Sequence, residues 1–336
     1  LTRSLIIFGQ GAIRAHPYVL KEIEAARDPD TAKGLAAFED ALFGHIRFAL
    51  ANFARTFVAG ITGSRFAGVP AGVAPETRRY YQRITRFSSA LAFLADVSMG
   101  TLGGALKRRE KLSARLGDVL SLLFLASASL KRYEAEGRQA ADAPLMHWAI
   151  WDSMFQAQTA LEGVISNFPH PIISAIVRVV VFPFGRPYSV PSDRLGHDAA
   201  TLLTAPSATR DRLTAGMFLP VADDNPVAQI ERALAATLAS EPVEAKVRAA
   251  ARDKRLDTEL RGGEPSDVLF ERAEAAGFIS ADEHDLVRTQ RLLAARVIRV
   301  DDFAQDLGAS EMEPPQPVTT HSADVMQPPP RMRAVA

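Results

Sequence analysis

One run of residues constrains the fold of this chain more than any other: PETRRYYQRITRFSSALAFLADVSMG, residues 75–100. Tyr80, Ile84, Phe87, Leu91, Leu94 and Ser98 recur at alternating steps of four and three. That spacing puts them on one narrow stripe of an α-helix, the kind that packs between antiparallel helices. Pro75 suits a first helical turn, where its missing N–H costs nothing. Gly103-Gly104 then marks a bend or a close helix contact. The same period continues through Leu112, Leu116, Val119, Leu120, Leu123, Ser127 and Leu130 to about Tyr133. It resumes from Pro144 to Asn167 with Met146, Ile150, Met154, Ala157, Leu161 and Ile165. No convincing alternating strand and no internal repeat interrupts the pattern. The fold class expected is therefore all-α, built as an antiparallel helical bundle or bundles.

Toward the N-terminus, Leu5, Phe8 and Ala12 share a helical face with Ile6 and Ile13 beside it, and no cap precedes them. Leu1 thus reads as a cut in a helix already in progress. His16-Pro17 makes a break, a second helix runs to Glu24 or Ala26, and a third covers Thr31–Val58. That third helix carries Leu35, Phe38, Leu42, Ile46 (or Phe43), Ala49, Phe53 and Phe57 on one stripe. Residues 1–60 form one part and 75–185 a bundle. Residues 186–224 form a turn-rich connection with short helices, and 225–305 a second helical part. In the second part, GFISADEHDLV combines Gly277, able to end a helix, with Ser280 and Glu283 at capping-box spacing. Residues 306–336, rich in Pro and without aromatics, read as a disordered tail.

The apolar run IISAIVRVVVF, Ile172–Phe182, lies between Pro171 and Pro183 and is too short to span a bilayer, which takes about 20 apolar residues. A helix apolar on most sides belongs in a core; an interfacial segment against a membrane or a partner is the other reading. Many apolar stripes lie in a segment without a catalytic motif. This leads to the expectation that the 75–167 bundle mediates subunit contact in a homo-oligomer. Ile172–Val181 would add apolar contact to it or to a membrane.

Composition removes several functions. Lys plus Arg equals Asp plus Glu at 39 each, which argues against a nucleic-acid partner. With no Cys there are no disulfides, thiol nucleophiles or thiolate metal sites, and a reducing compartment fits. The seven His are scattered along the sequence without a ligand-spaced pair, so no metal site is expected. FGQGAIR lacks the strand and third Gly of a dinucleotide loop, and close helix packing at Gly9 and Gly11 is the better reading. LKRREKLSAR, Leu106–Arg115, has the charge to attract phosphates, yet reads better as a solvated helix face. Tyr80-Tyr81 beside Arg78-Arg79 reads as core. His147, Trp148 and Trp151 read as a helix interface in preference to a ligand pocket. No catalytic constellation is expected within the chain itself.

A resemblance adds what periodicity does not carry. LTRSLIIFGQGAIRAHPYVLKEIEAA and ALFGHI resemble bacterial long-chain acyl-CoA dehydrogenases of fatty-acid β-oxidation, the large form with an extra C-terminal region. The similarity continues through RYYQRITRFSSALAFLADVSMGTLGGALKRREKLSARLGDVLSLLFLASASLKRYEAEGR, APLMHWAIWDSMFQAQ and NFPHPIISAIVRVVVFPFGRPYSVPSD. It reaches TLLTAPSATRDRL and VDDF near Val300. The resemblance implies an FAD enzyme converting acyl-CoA to trans-2-enoyl-CoA. A glutamate takes the α-proton, the flavin takes hydride, and an electron-transfer flavoprotein takes the electrons. It further implies that the glutamate falls a few residues before Leu1. The chain would then be a C-terminal piece, inactive alone, with no catalytic residue of its own. Arg3 matches an arginine near the flavin or the subunit interface, and helix anchoring is its alternative role. A bacterial cytoplasmic location is implied, with inner-membrane association left open.

Overall fold

The computed structural model describes residues 11–218, 220, 225–259 and 267–300. These residues are helical with no strand among them, as the periodicity requires. The chain divides into two compact units at Gly216–Met217.

In the first unit a short α1 (Ala12–Ala15) leads into α2 (Val19–Ala25) and the long α3 (Thr31–Ile61). The Asp30 side chain caps α3 by accepting from the Lys33 N–H. Next come α4 (Pro75–Leu102), α5 (Glu110–Ala135) and α6 (Ala143–Ser166). Gly103, at φ +48°, ends α4 where the sequence places a bend, and a 3-10 turn over Gly103–Arg108 leads into α5. Cross-links at the helix ends fix the directions. The Thr77 hydroxyl donates to Glu134 at 2.6 Å, joining the start of α4 to the end of α5. Gly163, near the end of α6, admits Arg115 from the start of α5; a Cβ there would stand 2.8 Å from its Nε. Consecutive helices of the bundle are therefore antiparallel, and α4 and α6 run the same way.

The stripe read from the sequence is the core. Phe87 and Leu94 from α4, Leu116, Val119 and Leu130 from α5, and Ile150, Met154, Leu161 and Ile165 from α6 are almost fully buried. Truncating one such Leu to Ala costs about 2–5 kcal/mol, transfer and cavity together. Residues 75–108 and α5 are long and apolar enough to cross a bilayer by composition alone. Their stripes are packed against each other in the bundle core.

α7 (Pro171–Val181) packs Val177, Val180 and Val181 onto the bundle, while Ile172, Ile176 and Val179 stay exposed. The expectation of a core helix thus holds for one of its faces. Below Val181 the guanidinium of Arg86, buried on α4, donates to the Val181 carbonyl at 3.0 Å. Orphan carbonyls at a helix C-terminus carry partial negative charge, which suits this cation. The connection after α7 contains α8 (Asp193–Thr204), capped by Ser192, and α9 (Ala208–Thr214), capped by Ser207. α9 is anchored where Thr209 and Arg212 both donate to Asp142.

The second unit is built on α10 (Pro226–Arg252), α11 (Val268–Ala275) and α12 (Ala281–Ile298). Val243, Val247, Phe270, Ala273, Ile279 and Val287 form its core. Gly277 sits at φ +73°, and Ser280 with Glu283 forms the capping box expected there. The tail 306–336 lies outside the described residues.

Candidate functional site

The seven histidines, far apart in sequence, do not all stay apart. His16 from the loop before α2, His45 from the middle of α3 and Asp96 near the end of α4 meet, and their ligand-type atoms lie within 4.8 Å of one another. His16 Nε2 is 3.1 Å from Asp96 Oδ1, and His45 Nε2 is 3.9 Å from the same oxygen. On its other side His45 Nδ1 is 2.8 Å from Glu22 Oε1 of α2. The side chains of His16 and Asp96 are 8% and 6% exposed.

The backbone decides the protonation of His16. The N–H groups of Tyr18 and Val19 both point at His16 Nδ1, at 3.2 and 3.1 Å. These are N-terminal N–H groups of α2, which have no partner within the helix. Nδ1 must therefore be an acceptor, and the ring proton sits on Nε2, which donates to Asp96. Burial lowers the His16 pKa, against the pull of Asp96. Burial raises the Asp96 carboxyl, against the pull of both histidines and of Asn52. Asp96 Oδ2 and Asn52 Nδ2 are both buried and lie near enough for Asn52 to favour the carboxylate, yet among the described residues neither makes a hydrogen bond of good geometry.

This donor set does not fit a metal ion. A metal on His16 Nε2 would require the proton on Nδ1, where two backbone N–H groups already point. What the cluster does is join α2, α3 and α4 through a polar seam. Position 45 faces α2 because Gly44 lets the Tyr18 ring approach; a Cβ on Gly44 would stand 2.3 Å from that ring. The one sequence signal for this seam is Asp96 itself, a lone acid inside the apolar stretch Leu91–Val97. Its partners carry no signal, because their meeting depends on how three helices cross.

Other sequence candidates fall into structural roles. The Tyr80 hydroxyl and His147 Nδ1 are 2.7 Å apart between α4 and α6, and the Trp151 Nε1–H donates to the Ser189 carbonyl. The helix-interface reading of these residues holds. Arg83 lies 5.3 Å from the Trp151 ring and 5.5 Å from that of Tyr188. Burial pushes the Tyr188 phenol up to about 12, against the pull of Arg83 and Arg86. The 106–115 run is mostly exposed, with only Leu106, Leu112 and Ser113 buried, as the solvated-face reading expects. Among the described residues nothing lies within 4 Å of the Cβ position of Gly11, so none of them calls for a glycine there. Gly9 and Arg3 lie outside the described residues, so the flavin-side role expected of Arg3 is left as it stood.

α3 holds the more informative departure. Its buried residues are Gly34, Ala41, Gly44, Asn52, Thr56 and Gly60, all small or polar. Its large apolar side chains face outward instead, with Leu35, Phe43 and Leu50 about 60% exposed and Leu42, Ile46, Val58 and Ile61 also exposed. The stripe read from the sequence exists, but the bundle covers only part of it: Phe57 packs on the core and Phe53 meets the Phe93 ring at 5.7 Å, whereas Leu35, Leu42, Phe43 and Ile46 stay exposed. Small residues let α3 approach closely: a Cβ on Gly34 would meet the Ala25 carbonyl at 2.8 Å, and one on Gly60 would meet Pro183 at 2.9 Å.

A family model described as "Acyl-CoA dehydrogenase, C-terminal, bacterial type" matches residues 13–303. The chain belongs to that family. The all-α bundle of this acyl-CoA dehydrogenase C-terminal domain is what the resemblance implied. No solved structure matches the chain. Acyl-CoA dehydrogenases are oxidoreductases that generally bind FAD, act on acyl-CoA and form oligomers. A flavin dinucleotide needs its ring system covered and two phosphates neutralised. The groove of about 480 Å³ between α3 and α4 is lined by Val58, Phe66, Ala67, Thr85 and Ser89, with Arg55 as its one guanidinium. That lining does not fit FAD.

Proposed function

We propose that this chain is the C-terminal part of an FAD-dependent acyl-CoA dehydrogenase of bacterial fatty-acid β-oxidation. It acts in the cytoplasm on long- or medium-chain acyl-CoA, yields trans-2-enoyl-CoA and passes electrons to an electron-transfer flavoprotein. The catalytic glutamate and most of the flavin site belong to the portion ahead of Leu1, so the chain alone is inactive. Family membership supports the reaction class. The observation that carries the rest is the outward apolar face of α3. Its exposed apolar residues run from Leu35 to Ile61, about 39 Å at 1.5 Å per residue, broken where Phe57 packs on the core. A monomer does not ordinarily leave an apolar stripe of that length uncovered. In this reading the catalytic body of the same enzyme covers it.

The test compares the 336-residue chain with its full-length gene product. The full-length protein should hold FAD and oxidise palmitoyl-CoA with an added electron acceptor, whereas the isolated chain should do neither. Turnover by the isolated chain would sink the proposal. A second reading draws on the same face: a helical oligomerisation or membrane-association module without catalysis of its own. Under it, full-length Phe43→Glu would lose its oligomeric state or its membrane association and keep its FAD. Under the enzyme reading it loses FAD and turnover as well.

A further inference from the structure

We propose that the cavity at the start of α5 is a binding site for a pyrophosphate group, free or esterified. This inference is independent of the reaction assigned above. The cavity, of about 400 Å³, is lined by Arg108, Arg109, Lys111 and Arg115, with Glu110 as its one acid and Asn167, just after α6, on its wall. Local composition departs here from that of the chain. Basic and acidic residues balance overall at 39 each, yet between Asp96 and Asp118 stand five basic residues and one acid. Elsewhere Arg132, Arg138, Arg178, Arg212 and Arg248 each sit on an Asp or Glu. Among the described residues Arg108, Arg109, Lys111 and Arg115 make no ion pair, with Glu110 or with any other carboxylate. Arg115 is also placed by the fold. It is half-buried and lies over Gly163 of α6, where a Cβ would stand 2.8 Å from its Nε and 2.9 Å from its Cδ. The Asn167 amide donates to the Gly163 carbonyl at 2.9 Å, which ties the wall to the same turn of α6.

Charge and shape select the occupant. Four like charges crowded on one cavity repel, and an anion among them removes that cost. Guanidinium forks match the paired oxygens of a phosphate. Four cations less one acid leave a net charge of +3 on the lining. Two phosphates at about −1.5 each supply its counterpart, whereas a single carboxylate leaves most of it unmatched. Glu110 and Lys111 open α5, and no side chain caps that helix, so its partial positive end adds to the field of the cations. No aromatic side chain lines the cavity, so nothing in it stacks a base, and a nucleic-acid track is the poorer match.

The test is isothermal titration calorimetry of the full 336-residue chain at low ionic strength, with inorganic pyrophosphate, ADP and sulfate as ligands. Pyrophosphate or ADP should bind at one site per chain, about tenfold or more tighter than sulfate. Either supports the site: tighter ADP marks an ester as the natural source, tighter pyrophosphate the free anion. Arg109→Gln combined with Lys111→Gln, both exposed, should weaken binding about tenfold or more with the folded far-UV spectrum retained. Gly163→Ala keeps every charge and displaces Arg115, so it should weaken binding several-fold. Arg78→Gln is exposed at the start of α4, beside the far end of α5, and should leave binding unchanged. The proposal is overturned by no saturable binding of pyrophosphate or ADP, or by sulfate bound as tightly. Full affinity in the Arg109/Lys111 variant or in Gly163→Ala, or an equal loss with Arg78→Gln, would overturn it too.

Discussion

Gln158 lies at the centre of α6, 1% exposed, and its amide engages both backbone polar groups of one residue in the connection after α7. Nε2 donates to the Tyr188 carbonyl at 2.8 Å, and Oε1 accepts the Tyr188 N–H at 2.9 Å. Both backbone groups are buried with Tyr188, which is 7% exposed. Replacing Gln158 with Leu keeps the volume and removes both partners. Each buried peptide group left unpaired costs about 1–3 kcal/mol, so Gln158→Leu should lose about 2–6 kcal/mol before the smaller gain from added apolar surface. Trp151, which donates to Ser189 and packs edge-on against the Tyr188 ring at 5.2 Å, should move toward solvent with the loosened segment. The assay is guanidinium unfolding followed by tryptophan fluorescence. The chain has two Trp, 148 and 151, both on α6, so the signal reports the first unit alone. Linear extrapolation then yields the free-energy difference. Gln158→Glu refines the test. A charged Glu sets oxygen against the Tyr188 carbonyl, whereas a protonated one donates to it. Folding therefore raises the pKa of this Glu, and the variant should regain stability as pH falls toward the ordinary carboxylate range. If Gln158→Leu unfolds within about 0.5 kcal/mol of the parent, the bidentate clamp is not what holds this segment.

The polar seam should show its tautomer directly. In long-range ¹⁵N NMR at pH 6.5, where an ordinary imidazole is half protonated, His16 should be mostly the neutral Nε2–H form, since burial lowers its pKa and two N–H groups occupy Nδ1; a mainly imidazolium signal, or the proton on Nδ1, would refute this assignment. Asp96 has a folded pKa raised above the ordinary 3.8, so its contribution is fully present below that value and is lost as pH rises. Asp96→Asn removes that loss, and its stability relative to the parent should improve between pH 4 and pH 7; a flat difference would contradict the shift. Gly60→Val should cost about 1–3 kcal/mol by forcing α3 from Pro183 and the Val180 carbonyl, whereas Gly100→Ala, with nothing within 4 Å, should be neutral or stabilising in the same fluorescence assay. Ser280→Ala should lower the stability of the second unit by about 0.5–2 kcal/mol, read as faster amide exchange in α12, and leave the tryptophan transition in place.

The sequence by itself determined the helical class, the core of the 75–167 bundle and the Ser280 helix start. Each depends on local properties: the angle between successive side chains, a missing N–H at Pro75, a hydroxyl three residues before a glutamate. It also showed that α3 and α7 carry apolar stripes. Only the tertiary structure decided which way those stripes face. Periodicity reports that a stripe exists and is silent on whether this chain or another body covers it. On α3 the glycines at 34, 44 and 60 win the inner face, because backbone can approach there and large side chains cannot. The His16–Asp96 pair was likewise illegible. Its members stand 80 residues apart, and only the crossing of helices and the two N–H groups that hold the ring bring them within a hydrogen bond.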